Sequence, residues 1–129
     1  MDYALRILRV IKRSTTEVLD DHLERRQRGD IEGDLEHNYA PEVVLLCERG
    51  VLKGRDAVRG SAKALADQLP NACFAFPFKA VDGEHALLHW SAQSANVRVD
   101  VGVDTFVIRD GRIVLQTVSY QLKHAPLDR

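Results

Sequence analysis

The chain has 129 residues, 45 % of them hydrophobic and 29 % charged, which fits one compact soluble domain able to bury a core without covalent staples. Its formal net charge of −1 excludes the broad basic surface that nucleic-acid binding needs, and no apolar run approaches the roughly 20 residues of a membrane span. Two cysteines, Cys47 and Cys73, without a Cys-x-x-Cys pair, speak against a disulfide framework or a zinc site and for a reducing cytoplasm. The N-terminus carries early arginines but no continuous apolar stretch with a small-residue cleavage site, so no signal peptide is read there.

Ala4, Leu8, Ile11, Thr15, Val18 and His22 recur at steps of four and three, the stripe of an amphipathic helix. Ser14-x-x-Glu17 has the form of a capping box, which predicts a joint near Ser14 and sets residues 1–14 apart as an extra helical segment. Arg6, Arg9, Lys12 and Arg13 form a local basic group, read as a solvated helix end. Gly29 closes the next helix, and Asp30 can cap a short one that carries Ile31, Leu35 and Tyr39 on one side and stops at Pro41.

VVLLCE, residues 43–48, reads as a strand closed by Arg49-Gly50. A third helix follows, marked by Ala57, Val58, Ala62, Leu65, Ala66 and Leu69 and ended by Pro70. Beyond it the period becomes two. CFAFPFKAV, HALLHWSAQ, RVDVGVDTFVIR and RIVLQTVSYQL are four strands parted by Asp82-Gly83, Ala95-Asn96 and Asp110-Gly111. Pro77 places the first of these at an edge or a bulge, and Gly102 predicts a bend in the third. Helices, a strand, a helix and then an antiparallel meander make an α+β domain, a curved sheet wrapped around helices with a cone-shaped, barrel-like interior.

Asp104 is the residue that asks for explanation. With period two it shares a face with Phe106 and Ile108, so a carboxylate stands among large apolar side chains. Burial raises the pKa of such an acid unless a partner compensates, and a neutral acid can donate a hydrogen bond or a proton to a substrate oxygen. The alternative is a structural pairing with a nearby histidine or a loop N–H. His22 lies on the apolar stripe of the helices, where it is either a base or a satisfied core histidine. Tyr39 and Tyr120 could each bury a ring and offer a hydroxyl, and Gln116 shares a face with Tyr120, as an amide that orients a ligand does. Cys47 alternates with Val43 and Leu45 and so points inward, as an inert small hydrophobe or, with a base nearby, a nucleophile.

Four pieces, LERRQRGDIEGDLEHNYAPEVVL, GVLKGRDAVR, ALLHWSA and GVDTFVIRDGRIVLQTVSY, resemble in order and spacing the nuclear transport factor two-like superfamily, in its SnoaL-like and ketosteroid isomerase-like branch. The resemblance implies the conical pocket, a homodimer, and chemistry without a cofactor or metal. It maps the isomerases' oxyanion-hole tyrosine onto His22, their general-base aspartate onto Cys47, and their second oxyanion acid, set in an Asp-x-Phe, onto Asp104 with Phe106. The base carboxylate is thus missing, which argues against classical steroid isomerisation. The same mapping directs His22 at Asp104, and turns Leu87, His89, Ser91 and Gln93 into the pocket with Trp90 outward, so that Leu88 and Trp90 would form a dimer surface.

The function expected is a small-molecule enzyme of isomerase, lyase or hydrolase type acting on a largely apolar carbonyl- or hydroxyl-bearing substrate. Asp104 and His22 would be its catalytic groups, with Tyr39, Cys47, His89, Phe106, Gln116 and Tyr120 around the substrate. The other reading is a non-catalytic module that binds an apolar ligand or assembles with a protein partner on the same scaffold.

Overall fold

The structure, a computed structural model, describes residues 12–126. The helical segment expected before Ser14 falls mostly on residues 1–11, outside the described residues. Helix α1 (Thr15–Gln27) starts on the capping box read from the sequence: Glu17 N–H donates to Ser14 Oγ at 3.1 Å and Ser14 N–H donates to Glu17 Oε1 at 2.9 Å. Its inward stripe is Val18, Leu19, His22 and Leu23. Helix α2 (Ile31–Asn38) is capped by Asp30, whose side chain accepts from Gly33 N–H.

Tyr39 does not end that helix. It opens strand β1 (Tyr39–Cys47), and Pro41 sits inside the strand, where pairing is interrupted between Tyr39 and Val44. Proline is tolerated there because the irregular stretch asks for no ladder N–H. Strand β2 (Gly50–Lys53), for which the sequence carries no strand signal of its own, pairs back on β1 across the Glu48-Arg49 turn. Helix α3 (Arg55–Gln68) then crosses to β3 (Cys73–Asp82), β4 (His85–Gln93), β5 (Val97–Arg109), β6 (Arg112–Ser119) and the short β7 (Lys123–His124).

The sheet order is β2-β1-β6-β5-β4-β3, with β7 attached to β5. Strands β3 to β6 form the antiparallel meander, but β1 pairs with β6 in parallel, so the sheet is mixed. It has two free edges, β2 and β3, and is not closed into a barrel. Pro77 is on edge strand β3, where the register shifts between Ala75 and Phe78. The β5–β6 turn is Asp110-Gly111 with φ of 55° and 77°, the positive pair that a tight hairpin loop requires.

The three helices lie against one face of the sheet and enclose the core, in which Leu19, Leu35, Val43, Val58, Phe106 and Ile113 are essentially without solvent contact. Each such side chain contributes about 1.5–3 kcal/mol by leaving water. Of the basic residues before α1, Arg6 and Arg9 lie outside the described residues, while Lys12 and Arg13 are structural ties: Lys12 bonds Asp110, and Arg13 donates to Asn38 Oδ1 and to the carbonyl of Gly111 at 2.8 Å each. No helix of the described residues is long and apolar enough to cross a membrane.

Candidate functional site

Between α1, α3 and the inner face of β3–β6 lies a cavity of about 560 Å³. Its wall is mostly apolar: Leu45, Val58, Leu65, Phe74, Phe76, Leu88 and Val118 all reach it. Ala62 and Ala66, one turn apart on α3, keep that helix from filling the space. Among the polar groups of the wall are His22 and Arg26 from α1, Trp90 from β4, Asp104 from β5, Gln116 from β6, and Tyr120 beyond it.

The sheet register explains why three of them meet. Trp90 stands opposite Gly102, and Gln116 opposite Phe106, so each is two residues diagonal to Asp104 on the same face. Trp90 Nε1–H donates to Asp104 Oδ1 and Gln116 Nε2–H donates to Asp104 Oδ2, both at 3.0 Å. Gly102 makes the first bond possible. A Cβ there would stand 2.0 Å from the Trp90 indole, so only glycine lets the ring lie across β5. That close approach is one reason for the glycine, and the β4–β5 register also shifts beside it, between Trp90 and Ala92, where the bend is expected. Gln116 Oε1 in turn accepts from the Tyr39 hydroxyl at 2.5 Å, which fixes the amide's orientation. Burial pushes the Asp104 carboxyl above its ordinary pKa; the Trp90 and Gln116 donors, the Arg26 charge and any proton on His22 offset this only in part.

His22 does not pair with Asp104. Its Nδ1 lies 2.8 and 3.0 Å from the two oxygens of Asp34, on α2. Asp34 is fully buried and accepts also from Arg26 Nε at 2.7 Å and Asn38 Nδ2 at 2.8 Å. Burial alone would raise the Asp34 pKa, yet His22, Arg26 and Asn38 outweigh it and the net shift is downward. Asp34 is held below its ordinary pKa and accepts, so the hydrogen of the pair belongs on Nδ1, and a neutral imidazole in this place carries its lone pair on Nε2. Nε2 has no hydrogen-bond partner among the described residues, and His22 is one of the residues that line the cavity. Tyr39 and Phe106 hold the ring edge-on from two sides, with centroids 5.8 and 5.5 Å away.

Of the residues singled out from sequence, His22, Asp104, Gln116 and Tyr120 come together on the wall. Tyr39 and Phe106 stand behind it as supports, and Cys47, at the end of β1, does not reach it. His89 is on the other side of the sheet, stacked against Phe78 at 5.3 Å. The strand parity taken from the resemblance is thus reversed. Leu88 and Trp90 are 2 % and 4 % exposed and face inward, which also removes the dimer surface assigned to them. Period two says which residues share a face, and a one-residue shift exchanges the faces.

Asp34, Arg26 and Trp90 were missed. The available signal for Asp34 was its position: with Leu35 and Asn38 it occupies steps i, i+1 and i+4 of the buried side of α2, where a carboxylate needs a reason. The described residues contain no cluster of His, Cys, Asp and Glu fit to hold a metal.

A family profile described as "SnoaL-like domain" matches residues 19–116. No curated protein matches the chain. Among solved structures, a protein from Jannaschia sp. CCS1 described as a candidate SnoaL-like polyketide cyclase superposes with a TM-score of 0.74 at 13 % identity, over 86 % of this chain and 88 % of that one. A candidate polyketide cyclase from Sinorhizobium meliloti gives 0.65 at 20 % identity, over 80 % and 94 %. An NTF2-like protein of unknown function from Mesorhizobium loti gives 0.69 at 25 % identity, over 83 % and 90 %.

Proposed function

The chain belongs to the SnoaL-like domain family, and from that premise we propose that it is a cofactor-independent enzyme of proton transfer on a largely apolar carbonyl compound. One observation carries the proposal. The cavity wall holds a histidine whose tautomer is set by a buried carboxylate, near a second carboxylate that burial keeps toward its neutral form. Environments that push two titratable groups apart assign an acid and a base.

In the forward step His22 Nε2 takes the proton from the carbon next to the carbonyl. The C–H electron pair moves into the new C–C double bond, the carbonyl pair moves onto oxygen, and the Asp104 proton passes to that oxygen. The imidazolium so formed faces Asp34, and the Asp104 carboxylate is left accepting from Trp90 and Gln116. Both new charges thus arise where donors or acceptors already stand, which is how a preorganised site lowers a barrier. An enol made this way can isomerise, eliminate or close a ring, the range that isomerases, lyases and cyclases share.

A second reading is a non-catalytic binding module. It is favoured by the fact that both Asp104 oxygens and both ends of the Gln116 amide already have protein partners. Deuterium exchange separates the two without knowledge of the natural product. A panel of aryl and terpenoid ketones in D2O, followed by proton NMR, is expected to lose signal at the carbon next to the carbonyl with wild type and not with His22→Gln or Asp104→Asn. Ketones that bind, by thermal shift, yet exchange at the buffer rate would sink the enzyme reading and leave the module.

The reading also places the protein in a reducing cytoplasm, where its two free cysteines, Cys47 and Cys73, are at home. A homodimer would use the outward sheet face, where Phe78 and Val101 are exposed; a monomer in sedimentation at micromolar concentration would remove it.

A further inference from the structure

Arg26 contributes to the cavity wall with its side chain 21 % exposed, and the proton-transfer scheme leaves it unused. Its Nε is taken by Asp34 at 2.7 Å. Among the described residues its terminal nitrogens meet no other carboxylate, and the neutral group that approaches the guanidinium is the Tyr39 hydroxyl, whose hydrogen goes to Gln116. The other cations at the cavity already have carboxylate partners: Arg59 in Glu32 and Asp56, Lys63 in Asp67.

The charge balance of the wall points the same way. Asp34 is matched by Arg26 alone, before any proton on His22 is counted. Glu32, the other acid besides Asp104 on the wall, is held by Arg59. The wall therefore offers a guanidinium anchored through Nε on Asp34, with terminal N–H groups of the kind that hold a carboxylate.

We propose that Arg26 is the specificity-determining residue of this cavity and that its substrate is an apolar keto acid, the carboxylate held by Arg26 and the acidic carbon presented to His22. His22 and Arg26 are one helical turn apart, which separates their Cβ atoms by about 5–6 Å. That spacing suits an acidic carbon about two bonds from the carboxylate carbon, with the apolar remainder of the substrate along Leu65, Phe74 and Leu88. The assignment rests on the reading of His22 as the base.

The probe is 3-benzoylpropionate, a stable keto acid of this spacing, compared with its methyl ester by calorimetry. Wild type is expected to bind the acid at least about tenfold more tightly than the ester, since the acid alone makes charge-assisted bonds to the guanidinium. Arg26→Gln is expected to abolish the preference without weakening the ester, and Arg26→Lys to keep part of it. Equal affinities on wild type, a preference that survives in Arg26→Gln, or no binding of the acid at all would overturn the assignment. Should Arg26→Gln fail to fold, the wild-type acid-to-ester ratio decides: it must shrink as salt is raised. Exchange of ketone deuterium without acid preference sinks the keto acid and spares the proton-transfer reading. Tight, Arg26-dependent acid binding without exchange on any carbonyl does the reverse.

Discussion

Asp34 and Asp104 are both buried, 0 % and 8 % exposed, and both accept hydrogen bonds on each oxygen, yet their pKa values move in opposite directions. The difference lies in the donors. Asp34 receives a guanidinium, an imidazole and an amide, whereas Asp104 receives only an indole and an amide. Neutral donors satisfy a carboxylate's geometry but do not repay the cost of desolvating its charge; a cation in contact does. One carboxyl is thereby held below its ordinary pKa and the other above it.

The largest effect that would test this contrast is at the anchor. Asp34→Asn is expected to lower stability by about 3 kcal/mol, because it leaves Arg26 facing a neutral amide in a buried setting. Urea unfolding at pH 7 measures it, and a loss no greater than that of a surface aspartate such as Asp67→Asn would break the comparison. The folded-state pKa of Asp34 is depressed, so its contribution is present above the unfolded value of about 3.9 and is lost as pH falls through the folded value. Wild-type stability should thus drop in acid more steeply than that of Asp34→Asn.

A middle-sized effect belongs to the support of Asp104. Gly102→Ala forces the indole off β5 and is expected to cost about 1–3 kcal/mol by overpacking, with a shift in the emission of Trp90, the only tryptophan of the chain. An unshifted spectrum would mean that the indole does not rest on that glycine.

The smallest effect sharpens the contrast most. Asp104→Asn is expected to change stability at pH 7 by no more than about 1 kcal/mol, since an amide keeps the shape and the bond from Trp90 Nε1–H, and removing a buried acid offsets the lost Gln116 bond. Here the folded pKa is raised, so stability is full below the unfolded value and falls as pH rises through the folded one. Wild type should lose ground to Asp104→Asn as the pH is raised from about 4, the reverse of the Asp34 pair. Parallel pH profiles for wild type and Asp104→Asn would refute the raised acid.

Local signals carried much of this structure in the sequence. The capping box at Ser14 and Glu17, the Asp110-Gly111 hairpin, the edge placement of Pro77 and the four meander strands all depend on neighbours a few residues apart. Asp104 was legible as an acid on an apolar face for the same reason, and the SnoaL-like order of elements could be read along the chain. What could not be read required partners far apart in sequence. The parallel pairing of β1 with β6 joins residues more than 60 apart, such as Leu45 and Gln116. The face taken by Trp90 depended on the register of two strand pairs, and Asp34 replaced Asp104 as the partner of His22 because helix packing, not spacing, brought α1 against α2. Side-chain type and period thus determined which groups could do chemistry, while tertiary packing decided which donors each carboxylate meets, and so in which direction the pKa of each moves.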